Sequence, residues 1–143
     1  MADANAIMMM VQDKLPKDSM GQITLRDKLD TLSEAKKDEL MRTLPMLDLK
    51  NPTLVFWVGS FLFGEFGVGR FMIGDKVLGA IRLALALFFY LFLMIYAESE
   101  SGIAAFLVVI LILAVRGWWV VDLFLTGKKL RQQNLDKILQ AIK

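Results

Sequence analysis

The chain has 143 residues, 56% of them hydrophobic, and its mean hydropathy of +0.51 is high for a soluble domain and ordinary for a small multi-span protein. It contains no His and no Cys, which excludes disulfides, zinc sites and catalysis by a Cys or His side chain. The net charge of +2 conceals a basic C-terminal segment, because residues 127–143 hold five basic side chains and one acidic side chain.

Residues 1–50 predict a small helical region. Ser33 is a typical N-cap, and Pro16 and Pro45 are expected to end helices, because proline removes a backbone donor. Fifty residues are few for an independent core, so we expect these helices to pack on the membrane or on the rest of the chain. The alternative is a set of solvated amphipathic helices without a special role. The apolar spacing predicts three helices, at 4–14, 23–32 and 34–44.

Asn51 and Pro52 predict a helix start, because Asn is a favoured N-cap and Pro is favoured at the first helical position. The apolar run 53–63 follows, and its length covers about half of a bilayer core. A Gly-rich turn ends this run. We therefore expect segment 52–69 to be a half-crossing that turns back or an interfacial helix, not a full span. The glycines of the turn are Gly64, Gly67, Gly69 and Gly74.

Residues 77–97 and 103–125 are two long apolar runs, separated by an acidic break at 98–101. Each run is long enough to cross a bilayer core of about 30 Å as a helix. A lipid-exposed backbone has to satisfy its own hydrogen bonds, so the runs predict an antiparallel hairpin of two transmembrane helices. Gly127 is expected to cap the second helix, and residues 128–143 then predict a basic amphipathic helix.

The predicted fold class is an all-α integral membrane protein with small cytoplasmic helices at both ends. It divides into an N-terminal cytoplasmic helical region, 1–50, a membrane domain, 51–127, and the C-terminal helix, 128–143. Basic residues flank the outer ends of the spans while the loop between them is acidic, so the positive-inside rule puts both termini in the cytoplasm. The expected location is the cytoplasmic (inner) membrane of a bacterium.

Three short stretches and one later residue carry a family pattern: the Gly-rich 64–74 (GEFGVGRFMIG), 79–83 (GAIRL), 119–122 (WVVD) and Asn134. Taken in this order, they resemble the TM2 domain family over about residues 51–134. The front segment that ends at 49–52 resembles the helical extension of many bacterial members. Gly69 stands where relatives have Asp or His, and the spans are longer than in many bacterial relatives. The resemblance implies a membrane domain of this topology and implies no reaction.

Ionisable residues cluster near the inner ends of the two spans. If the hairpin turns at Ser99, Arg82 and Arg116 both lie about 25 Å from the turn, near the inner edge of the hydrocarbon core. Trp118 and Trp119 follow, as residues of an interfacial aromatic belt do. Intramembrane charges are costly, so we expect them to pair with one another. The expected ion network consists of Arg70, Arg82, Arg116, Glu65, Asp75 and Asp122.

Three roles are open for this network. It can be structural and pin the Gly-rich turn to the base of the hairpin. It can bind an anionic lipid headgroup through the arginine guanidinium groups. It can belong to an ion or proton pathway, which the apolar remainder of both spans disfavours. The resembled family keeps a basic residue at the positions of Arg70 and Arg82, so we expect these two, in preference to Arg116, to pair with Asp122.

The function expected from the sequence is that of a membrane-anchored scaffold or interaction protein, which presents 1–50 and 128–143 at the bilayer surface. The expected partners are the lipid bilayer and a membrane or cytoplasmic protein or a second copy of the chain, and not nucleic acid. The alternatives are a component of an oligomeric transport or channel assembly and an anionic-lipid-binding membrane protein. The pattern contains no nucleophile–base constellation, so we expect no catalysis, no metal and no cofactor.

Overall fold

The computed structural model describes residues 3–96 and 102–143, and within them every regular element is a helix. The acidic break at 98–101 lies outside the described residues. The chain divides into two compact units: Met1–Pro52 together with Lys128–Lys143, and Thr53–Gly127.

Three short helices make up the N-terminal part of the first unit. Turns of 3-10 helix at Gln12–Lys14 and Leu44–Leu47 extend the first and the third of them. The second begins earlier than the spacing predicts because Asp18 caps it, accepting a hydrogen bond from the Gly21 amide at 3.4 Å. Ser33 occupies the N-cap position of the third, although its side chain makes no capping hydrogen bond within the described residues. The bounds are α1 Ala4–Val11, α2 Ser19–Asp30 and α3 Glu34–Thr43.

The core of the first unit contains side chains from both ends of the chain. Buried residues of the three short helices pack together with Leu135 and Ile138 of the C-terminal segment, and Leu139 and Ile142 pack against this core from its edge. The N-terminal helices therefore lean on another part of the chain, which is one of the supports expected for them. The core consists of Ala4, Ile7, Val11, Leu15, Leu25, Leu29, Leu40, Leu44, Leu135 and Ile138.

Two cationic side chains of the C-terminal segment hold carbonyl groups where the 3-10 turns end. Arg131 Nη1 donates to the carbonyl oxygen of Asp13 at 2.7 Å and to that of Leu15 at 2.9 Å. Lys137 Nζ donates to the carbonyl oxygen of Asp48 at 2.9 Å and to that of the preceding residue at 3.2 Å. Carbonyl groups at a helix end lack intrahelical partners and carry partial negative charge, so both contacts stabilise the unit.

Asn134 joins three segments of the first unit at one buried point. Its Nδ2 donates to the carbonyl oxygens of Lys14 at 3.0 Å and Lys50 at 2.9 Å, and its Oδ1 accepts from the Lys50 amide at 3.2 Å. The side chain is 1% exposed. A buried amide whose donors and acceptor are all used stabilises one arrangement of the chain, because any other leaves polar atoms unpaired.

The second unit contains two long helices and the shorter segments that precede them. The helix α4 leads into this unit and continues as a π-helix over the apolar run, which the sequence pattern did not specify. A 3-10 turn and a short helix then return the chain toward the first long helix. The bounds are α4 Pro52–Leu54, π-helix Val55–Leu62, 3-10 turn Gly64–Phe66, α5 Val68–Met72, α6 Lys76–Tyr96 and α7 Gly102–Ala141.

Both long helices are long and apolar enough to cross a membrane. The expectation that Gly127 caps the second is wrong, because α7 continues without interruption to Ala141. A Gly inside a helix costs about 1 kcal/mol. Burying one large aliphatic side chain contributes about 1.5–3 kcal/mol, and Leu135 and Ile138 are both buried beyond Gly127. The packing of the last turns therefore outweighs the cost of the glycine.

Candidate functional site

The Gly-rich turn of the second unit folds the chain back on the π-helix. The two backbones approach most closely at Gly59 and Gly69. A Cβ atom added at Gly59 would lie 2.9 Å from Gly69 Cα, and one added at Gly69 would lie 3.1 Å from the carbonyl carbon of Gly59. Such distances are too short for ordinary side chains, so glycine at both positions permits the contact. Gly59 was not among the residues predicted for the site, although a lone Gly in an apolar run is a signal of close backbone approach.

Gly67 brings the turn against α6. Its φ of 75° lies in the left-handed region, which glycine adopts without strain. A Cβ here would lie 2.7 Å from the carbonyl oxygen of Gly79 and 3.0 Å from Arg82 Cβ. Gly74 also has a positive φ, of 80°, but a Cβ added there meets open space. Gly67 is thus constrained by conformation and by space, whereas Gly74 is constrained by conformation alone.

Asp122 on α7 is the centre of a buried group of charges. Arg70 Nε donates to Asp122 Oδ1 at 2.9 Å, Arg70 Nη2 donates to the same oxygen, and Arg70 Nη1 donates to Asp75 Oδ2 at 3.1 Å. Arg82 Nε lies 3.5 Å from Asp122 Oδ2. Burial alone would lower the pKa of Arg70, but the hydrogen bonds and charges of Asp122 and Asp75 outweigh it and raise that pKa. These four side chains therefore form one charge-balanced group, in which Asp122 contacts the two arginines that the resemblance favours.

Arg116 and Glu65 form a second and more exposed pair. Arg116 Nη1 lies 3.4 Å from Glu65 Oε2. The side chain of Arg116 is 55% exposed, whereas that of Glu65 is 14% exposed. The six charges of the expected network thus separate into a buried group of four and an outer pair.

The two tryptophans of α7 contact different parts of the site. Arg82 Cζ lies 5.6 Å from the centroid of the Trp118 ring, which is cation–π geometry. Trp119 Nε1 donates to the carbonyl oxygen of Ser60 at 2.9 Å, and a Cβ added at Gly64 would lie 3.0 Å from the same nitrogen. Trp118 therefore stacks on the charged group, and Trp119 holds the π-helix.

Several residues of the structure were not predicted as functional. No local sequence motif predicts the hydrogen bonds to backbone carbonyl groups that involve Ser60, Arg131 and Lys137. Asn134 entered only through the family resemblance, although its position three residues after Arg131 and three before Lys137 puts all three on one helix face. The sequence signal for this polar face is the three-residue spacing of these side chains in a segment that also contains apolar residues.

Comparison of the chain with protein-family models, with curated proteins and with solved structures finds no match. Within the described ranges, no group of three or more acidic side chains is placed to hold a metal ion. The candidate site is therefore defined by its own geometry, namely the charges around Asp122, the Arg116–Glu65 pair and the glycines that bring the turn to them.

Proposed function

We propose that α6 and α7 cross a lipid bilayer as an antiparallel hairpin, so that the protein is an integral membrane protein of the TM2 domain type. In the most apolar stretches of these helices only 22% and 11% of the residues are buried inside the chain. Large apolar side chains along them, such as Leu87, Leu113 and Phe124, are 58%, 67% and 72% exposed. An apolar surface of this extent is unfavourable in water and favourable in lipid.

The shared core of the first unit supports a topology with both termini on one side of the membrane. Residues 1–52 and 128–143 pack into a single core, and segments that share a core lie in the same compartment. The chain between them then crosses the bilayer an even number of times. With α6 and α7 as two crossings, none remains for segment 52–69. The basic excess of 127–143 favours the cytoplasmic side of the inner membrane.

The backbone contact between Gly59 and Gly69 supports a segment 52–69 that enters the membrane region and turns back. A chain that packs on itself ten residues later has reversed its direction within a short distance. The exposed side chains of Trp57 and Phe61 near the start of this segment suit the interfacial zone, where aromatic rings are favoured.

The function that this arrangement supports best is a small membrane-anchored scaffold, without catalysis, in which the first unit is the interaction module. The observation that carries the proposal is that α7 itself completes the core of that unit through Leu135 and Ile138. The segment that completes this module is the C-terminal part of a helix whose earlier residues are suited to the membrane. The arginines and carboxylates of the second unit engage one another, which argues against a nucleophile–base pair. The partner is a protein at the membrane or in the cytoplasm, or a second copy of the chain.

The size and composition of the particle in mild detergent test this function. The scaffold predicts a monomer or dimer that co-purifies with a second protein from native membranes. Asn134→Ala should open the first unit and release that protein while the chain stays in the membrane. Gln132→Ala is the matched control, because this side chain makes only an exposed hydrogen bond to Asp136. A ring-sized homo-oligomer with a water-filled axis would contradict the scaffold and favour a transport or channel assembly.

A further inference from the structure

A cleft of the second unit carries polar groups whose hydrogen-bonding capacity is not used. It lies beside the Arg116–Glu65 pair and is bordered by α6 and α7. The cleft is open on one side, and its cavity volume is about 30 Å³. The side chains that line it are Glu65, Arg82, Leu85, Ala86, Val115 and Trp118.

Arg82 is the donor of the cleft. Its side chain is 7% exposed, and its Nε is buried with no hydrogen-bond partner among the described residues. The 3.5 Å ion pair with Asp122 Oδ2 balances its charge without meeting the geometry of a hydrogen bond. A buried guanidinium with unused donors is costly unless an acceptor reaches it. Phosphate oxygens match the fork of guanidinium donors.

Glu65 is the acceptor of the cleft. Its Oε1 is buried and accepts no hydrogen bond of good geometry among the described residues, although the Tyr90 hydroxyl lies near this carboxylate, and its Oε2 faces Arg116 at 3.4 Å. An anion alone would be repelled by this carboxylate, and a cation alone would be repelled by Arg82. A ligand that carries an anionic and a cationic group satisfies both side chains. A primary ammonium group can donate a hydrogen bond to a carboxylate oxygen, whereas a trimethylated one has no N–H to donate.

The apolar side chains that line the cleft lie to one side of its charged groups. Leu85 and Ala86 lie about one helical turn after Arg82 along α6, and Val115 lies about one turn before Trp118 along α7. Both steps lead from the charged end of the cleft into the most apolar stretches of the two helices. A polar end followed by an apolar wall fits a lipid, in which an acyl chain continues from the headgroup, better than a free phosphate compound.

We propose that this cleft binds one phosphatidylethanolamine-type lipid, with Arg82 donating to the phosphate and Glu65 accepting from the primary ammonium group. The proposal rests on the proposed insertion of α6 and α7 in the bilayer. It deepens that function by naming a lipid that the membrane anchor recognises.

Lipid retention, measured by native mass spectrometry, tests the proposal. The full-length protein is reconstituted with equal amounts of phosphatidylethanolamine, phosphatidylglycerol and phosphatidylcholine and then released in detergent. We expect one phosphatidylethanolamine per chain, retained about tenfold more than either other lipid, because each of them lacks the charged donor that reaches Glu65. Equal retention of the three lipids, preference for phosphatidylglycerol, or no retained lipid would overturn the proposal. Retention of added glycerophosphoethanolamine as strongly as the lipid would identify a soluble ligand and overturn the lipid assignment.

Three variants separate recognition from folding. Glu65→Gln should lower the preference for phosphatidylethanolamine over phosphatidylcholine by about tenfold, because the ammonium loses a charged acceptor. Val115→Phe fills the cleft, leaves every charge in position, and should abolish retention while helix content is unchanged. Lys76→Gln removes an exposed positive charge at the start of α6 and should retain the lipid as the wild type does. Equal losses in all three variants would mean that the retention is non-specific.

Fractionation of the expressing cells, done before any detergent is added, distinguishes the lipid site from the membrane insertion. Recovery of the wild-type chain in the membrane fraction, followed by failure to retain lipid, would overturn the lipid site alone. Recovery in the soluble fraction without detergent would overturn the membrane insertion on which the site depends.

Discussion

Replacing Asp122 with Ala removes the carboxylate that two buried arginines share. Arg70, Arg82, Asp75 and Asp122 together balance their charges, and their side chains are only 7–12% exposed. The substitution leaves one uncompensated positive charge in this group. Removing one member of a buried ion pair typically costs about 3–5 kcal/mol. We therefore expect Asp122→Ala to lower the free energy of unfolding by about that amount.

The geometry predicts which second substitution restores stability. After Asp122→Ala, Arg70 keeps its hydrogen bond to Asp75 at 3.1 Å, whereas Arg82 loses the carboxylate with which it forms an ion pair. Adding Arg82→Met removes the positive charge that the loss of Asp122 leaves without a counter-charge, and it leaves the Arg70–Asp75 pair intact. Adding Arg70→Met instead leaves Arg82 and Asp75 apart. The Arg82→Met double variant should thus be the more stable of the two, with a coupling energy of about 1–3 kcal/mol.

The assay is unfolding of the purified chain in mixed detergent micelles, followed by loss of helical circular dichroism as the fraction of denaturing detergent rises. Arg116→Met is the matched control, because Arg116 pairs with Glu65 and not with Asp122. Its effect should add to that of Asp122→Ala within about 0.5 kcal/mol. If Arg82→Met is equally additive, or if Arg70→Met restores more stability, then Asp122 does not hold these arginines as described.

Three further predictions follow from the turn, the buried amide and the topology. Gly67→Ala should destabilise the chain by more than Gly74→Ala, because both positions have a positive φ but only Gly67 also meets a carbonyl oxygen at 2.7 Å; the same micelle unfolding measures both, and equal losses would contradict the close contact. Asn134→Ala should lower the free energy of unfolding by about 2–3 kcal/mol and speed hydrogen exchange of the Lys50 amide, which donates to the Asn134 side chain; unchanged exchange at Lys50 would contradict this role of Asn134. An impermeant thiol reagent should label a single Cys at Glu100 but not one at Met20 in intact cells, and the reverse pattern would overturn the cytoplasmic termini.

The two long helices could be predicted because their signal is local. An apolar run of more than twenty residues that contains only one or two charged side chains has few structural alternatives, and it gives the approximate bounds of α6 and the start of α7. The C-terminal bound of α7 could not be predicted in this way. Gly127 is a valid stop signal by itself, and it is overridden only because residues beyond it pack in a core formed with residues more than 80 positions earlier.

The charges were predicted as a set, but their pairing depends on the path of the turn. Counting residues along the hairpin puts Arg82 and Arg116 at one depth and leaves their partners open, and only the family resemblance favoured Arg70 and Arg82 as the partners of Asp122. The left-handed conformation at Gly67 brings the turn to Arg82, and Arg70 then reaches Asp122. The π-helix was beyond prediction for another reason, because Ser60 is the one polar side chain between Val55 and Leu62, and so few polar positions give no periodicity that distinguishes one helix type from another.

The late position of Leu135 and Ile138 sets an order of events during synthesis. The N-terminal helices leave the ribosome first, yet their core is incomplete until residues more than 80 positions later have been made. At about 5–20 residues per second, this delay is roughly 4–17 seconds. During that time the side chains that Leu135 and Ile138 will cover remain accessible to chaperones and proteases. During biogenesis, this core can therefore close only in chains whose second long helix has been completed.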